Sequence, residues 1–172
     1  MKTRISKKAG VLGICIIVAL FAMALAPAQG QAQVLAVGTN INPTLVVNAV
    51  PVFLPINGAA QFLNFVTTVA NQRVVVLFNA ECAVKGTDRN TQVNVDVLVD
   101  NVPVPLPPSN GDDVFCADLG DNILHNWARP SINVWRIIPN VGVHQVRVRA
   151  QMFNFQAGDQ FRIDDSSTIV MR

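Results

Sequence analysis

The chain has 172 residues, 51% of them hydrophobic, with 13 Lys and Arg against 11 Asp and Glu. That length suits one domain with an ordinary core, independent of dense disulfides or metals. Lys2, Arg4, Lys7 and Lys8 all lie ahead of the first acid, so the rest of the chain is slightly acidic. This excludes the strong basic stripe that a nucleic-acid partner needs.

The first 32 residues read as a secretory signal. Lys2 to Lys8 form a basic start, Val11 to Ala26 an apolar run, and Ala26-Pro27-Ala28 a small-residue cleavage pattern. Gly30-Gln31-Ala32 is a second such pattern, so cleavage is expected after Ala28 or Ala32. The run is shorter than the roughly 20 apolar residues that span a bilayer, and no second span follows. A bacterial-style leader of this kind predicts a secreted or periplasmic protein. Residues 33–172 are then expected to form a single domain.

The segment from 29 to 72 contains no Asp, Glu, Lys or Arg. It holds three expected strands, at 34–38, 44–53 and 61–69. Either its strands are shielded by polar amides, or their uncharged edges support self-association with another chain. Residues 73–84 begin with Val-Val-Val-Leu-Phe, which predicts a strand buried on both faces. Cys82 and Cys116 are the two cysteines beyond the leader. In an exported domain they point to one disulfide; two free thiols or a metal pair are the alternatives.

Residues 92–100 alternate with period two. Val93, Val95, Val97 and Val99 face one way, Gln92, Asn94 and Asp96 the other, and Leu98 breaks the rule. Asp100-Asn101 reads as a tight turn into residues 102–104, and Pro103, Pro105, Pro107 and Pro108 stop further central pairing. Further strands are expected at 131–138, 144–152 and 161–171. With no helical periodicity in between, the reading is all-β: one β-sandwich of the jelly-roll kind with about eight strands.

Chemistry-bearing motifs are scarce. Nucleophile elbows, phosphate loops and paired metal-ligand motifs are all missing. His144 shares the parity of the inward valines, which predicts a packed or hydrogen-bonded structural role. The loop between 110 and 122 holds Asp112, Asp113, Asp118 and Asp121, a candidate calcium site on oxygen ligands; otherwise no cofactor is expected. Asp164-Asp165 reads as a turn or bulge within the last strand. Trp127, with His125 and Arg129 beside it, is the candidate ligand surface, because Trp faces stack on sugar rings and arginine donates in a fixed fork. Trp135 is expected in the core. Glu81 is the sole glutamate, so a hydrolase would need an aspartate among its two carboxylates.

The stretch from Gln72 to Val170 resembles carbohydrate-binding modules of the galactose-binding-like jelly-roll type. It resembles secreted bacterial β-sandwiches of uncertain role as well and, more loosely, C1q-like jelly rolls. The residues that carry this are Arg73-Val74-Val75-Val76, Val95 to Asn101, Trp127, Ile138 to Val148, and Phe161-Arg162-Ile163-Asp164-Asp165. The chain departs from the pattern in having no tyrosine and no acid near its start. The expected role is that of a secreted, non-catalytic β-sandwich in surface recognition or assembly, with a glycan or another extracellular protein as partner. Glycan binding is the sharper alternative, and an aspartate-based hydrolase a further one.

Overall fold

The computed structural model describes residues 32–87, 89–106, 114–118, 124 and 127–172, and every regular element among them is a strand. In chain order these are β1 (Val34–Asn40), β2 (Thr44–Val46), β3 (Val52–Phe53), β4 (Leu63–Thr67), β5 (Gln72–Lys85), β6 (Gln92–Val99), β7 (Val102–Pro103), β8 (Val114–Ala117), β9 (Ser131–Ile138), β10 (Gly142–Phe153) and β11 (Gln160–Met171). Among the described residues no helix is long and apolar enough to cross a membrane.

The strands form two antiparallel sheets. In the first, β1 and β2 share one edge of β11, followed by β5 and β9. In the second, β3 and β4 share one edge of β10, followed by β6, whose far side carries β7 and β8. Eleven strands therefore occupy eight positions, three of them filled by two short pieces. Numbered along the chain, the positions run 1-8-3-6 and 2-7-4-5, which is the jelly-roll order.

Alternation explains the packing. Val74, Val76, Phe78 and Val84 of β5 meet Val93, Val95, Val97 and Val99 of β6 and Val146, Val148, Ala150 and Met152 of β10 in one core. Each fully buried valine contributes about 1.5–3 kcal/mol of transfer free energy. At the β6–β7 turn, Asp100 and Asn101 take φ of 54° and 62°. These left-handed values are what a two-residue turn between twisted strands requires, and Asp and Asn tolerate them. Cys82 of β5 and Cys116 of β8 are disulfide-bonded, with Cα atoms 6.3 Å apart, and join the two sheets.

Three expectations need correction. The strand over 73–84 is not buried on both faces along most of its length: Arg73 and Asn79 are exposed and Val75 and Leu77 half-buried, because among the described residues no second layer covers that side of β5 there. The stretch 44–53 is not one strand. It breaks after Val46 and crosses between sheets, so that β2 pairs with β11 and β3 with β10. The short β8 was not expected. Leu98, the exception to the valine pattern, is buried on the outward side of β6, where it pairs with Pro103 and Arg147.

Candidate functional site

The outward face of the first sheet is built in cross-strand rows. Backbone hydrogen bonds between Cys82 and Ala128 (2.9 and 2.8 Å) lay the segment before β9 alongside the end of β5. Antiparallel geometry then sets Trp127 beside Ala83 and Arg129 beside Glu81. On the other flank of β5, Ala83 pairs with Arg162 and Glu81 with Asp164. Two rows result: Trp127–Ala83–Arg162 and Arg129–Glu81–Asp164.

The small Ala83 side chain is what lets the outer members of the first row meet. The Arg162 guanidinium lies 5.3 Å from the Trp127 ring centroid, a cation–π contact. Arg162 also donates to Asp164 Oδ2 at 2.9 Å, which fixes its orientation. In the second row Arg129 pairs with Glu81 at 2.5 Å, with 83% of the Arg129 side chain exposed. An ion pair so open to water contributes about 0–1 kcal/mol to stability, so its residues are available to a ligand.

A third row follows, in which Ser167 Oγ donates to Asn79 Oδ1 at 2.9 Å. Between it and the second row, the β11 register slips between Asp164 and Ser167, and Asp165 takes φ of 40°. This is the bulge expected at Asp164-Asp165, and it re-aims an outward side chain. Asp165 thereby lines, with Asn79, Ala80, Glu81 and Arg129, a pocket of about 490 Å³.

Of the expected ligand residues, Arg129 lines this pocket, and Trp127 (38% exposed) lies on the same face, one cross-strand row away. His125 lies outside the described residues. Sequence reasoning missed Glu81, Arg162, Asp165 and Asn79 as members of the site. Trp135 was expected in the core, and the structure corrects this. It pairs with Val75 on the outward parity while Val134 takes the inward place, which leaves Trp135 51% exposed beneath the Arg73 guanidinium at 4.6 Å.

Two further polar clusters are structural in character. His144 Nδ1 lies 2.7 Å from Asp100 Oδ2, and its Nε2 lies 3.1 Å from both Thr67 Oγ1 and Asn140 O. Burial works to raise the Asp100 carboxyl. The hydrogen bonds from His144 and the Gln145 N–H, with the charges of His144 and Arg136, outweigh it and hold the group below its ordinary value. The order Thr67–His144–Asp100 has the outline of a hydrolytic triad. However, Thr67 is fully buried and its hydroxyl donates to Asn140 O at 2.8 Å. The cluster ties β4 to the β6–β7 and β9–β10 turns, the hydrogen-bonded role expected of His144.

The second cluster lies around Asp159. Its burial raises the carboxyl, but donors from Thr91, Gln156 and Thr87 prevail and lower it. Of the acidic-loop residues, Asp118 is described and sits at the end of β8 near this cluster; Asp112, Asp113 and Asp121 lie outside the described residues. Among the described residues no three His, Cys, Asp or Glu side chains gather around a common metal position.

No family model and no curated protein matches the chain. Among solved structures it is similar to the C-terminal domain of EclA, a sugar-binding protein, at 9% identity and a TM-score of 0.37, over 74% of this chain and 77% of that one. It is similar to a family 35 carbohydrate-binding module from Paenibacillus barcinonensis at 15% identity and a TM-score of 0.31, over 83% and 98% of the two chains. A family 35 module from Clostridium thermocellum matches at 11% identity and a TM-score of 0.30, over 81% and 98%.

Proposed function

We propose that the protein is an exported, non-catalytic recognition module that binds a glycan on the outward face of the first sheet. The observation that carries this reading is the exposed Trp127 ring on the same sheet face as, and one cross-strand row away from, a pocket lined by Glu81, Asp165, Asn79 and Arg129. A sugar ring presents an apolar face of C–H groups and a rim of hydroxyls. The indole meets the first, and fixed carboxylates, amide and guanidinium meet the second. The buried disulfide between the sheets accords with an oxidising compartment outside the cytoplasm.

A glycan array of the purified protein, run beside Trp127→Ala and Trp135→Ala, tests this. Selective binding is expected, weakened about tenfold or more by Trp127→Ala, as for a central aromatic anchor, and retained by Trp135→Ala. Folded protein that binds no glycan, or binds equally well without the Trp127 ring, refutes the proposal.

A further inference from the structure

Asp118 is 6% exposed, and neither oxygen of its carboxylate has a hydrogen-bond partner. An ionised carboxylate in that position is costly unless something compensates it. The contrast with Asp159 is sharp, because that carboxylate, also buried, accepts four hydrogen bonds.

The surroundings of Asp118 contain oxygen. Its backbone N–H donates to Thr91 O at 2.9 Å, which fixes the end of β8 against residue 91. Thr91 Oγ1 gives its proton to Asp159 Oδ2 at 2.7 Å, so its lone pairs remain free to serve as a ligand. Asp118 Oδ2 and Thr91 Oγ1 both lie 2.9 Å from the point where a side chain on Gly86 would begin. Only glycine at 86 lets the backbone pass this close to the two oxygens.

We infer that Asp118 is the anchor of a hard divalent-cation site, with calcium as the fitting ion and Thr91 Oγ1 as a second ligand. Carboxylate and hydroxyl oxygens without nitrogen or sulfur select calcium-like ions over zinc or copper. The ion neutralises the buried charge without displacing any partner, since the carboxylate has none. The site is separate from the glycan surface, so loss of one leaves the other testable.

The experiment is calorimetric titration of chelator-treated full-length protein with calcium chloride, paired with melting curves. One calcium per chain is expected, at a dissociation constant in the range of extracellular modules, about 0.1–1 mM. At a hundredfold excess over that constant the melting temperature rises by roughly 5–10 °C. The isosteric Asp118→Asn removes both effects, while Trp127→Ala retains them. Absence of heat and of a melting shift in the wild-type protein at about 10 mM calcium overturns the assignment, whether or not Asp118→Asn folds. Full calcium response in folded Asp118→Asn overturns it equally.

Discussion

Replacing both bridged cysteines, Cys82→Ala with Cys116→Ala, tests how much the link between sheets contributes. The two residues are 34 apart in sequence, and closing a loop of that length removes about 4 kcal/mol of chain entropy from the unfolded state. Both side chains are buried, at 0% and 7% exposure, so lost sulfur packing adds about 1 kcal/mol. Against a total stability of about 5–15 kcal/mol for a domain, the variant is left marginal. Guanidinium unfolding followed by tryptophan fluorescence reads the effect. The midpoint should fall, the slope should steepen because the unfolded chain now expands further, and the melting temperature should drop by roughly 10–20 °C. A variant within about 1 kcal/mol of the wild type with an unchanged slope refutes the reasoning.

Two other outcomes follow from particular contacts. Gly38→Ala would set a Cβ 2.4 Å from Ile56 O, a backbone atom that cannot swing aside; a loss of about 1–3 kcal/mol is expected, and an unchanged melting temperature sinks the argument. Asp100 and Asp159 have lowered carboxyl values in the fold, so the unfolded chain binds more protons as pH falls. Their stabilisation is therefore complete above about pH 5 and is lost below about pH 4. Melting temperatures from pH 7 to 3 should show that decline, and Asp159→Asn should flatten it; an identical acid slope in the variant contradicts the assignment.

How far the sequence could be read depended on whether the signal was local. The valines of β6 and β10 announce their faces because every second residue repeats the same choice. The bulge at Asp164-Asp165 was legible for a similar reason, since in a regular strand one of two adjacent acids would point into the core. The crossing between Val46 and Val52 was not legible: Val47, Asn48, Ala49, Val50 and Pro51 carry no mark of which sheet they leave or join. Nor was the membership of the proposed glycan surface. Trp127 and Arg129 stood out by type, but Arg162 reaches Trp127 only because Ala83 pairs between them, and pairing is a long-range fact. Trp135 was misplaced because its parity is set by the register of β9 on β5. Leu98 was seen as an exception, and what covers it became visible only with the sheet.

The place of β11 has a consequence for timing. It follows every other strand in chain order, yet it lies inside its sheet, hydrogen-bonded to β5 on one side and to β1 and β2 on the other. A chain emerging from its start can close β6 on β10, but β1 and β2 have nothing to pair with until the residues around 160–171 arrive. Such distant pairings are slow to form and leave the intermediate loose. The pairing of β1 and β2 thus waits for β11, although β5 and β9 can pair without it.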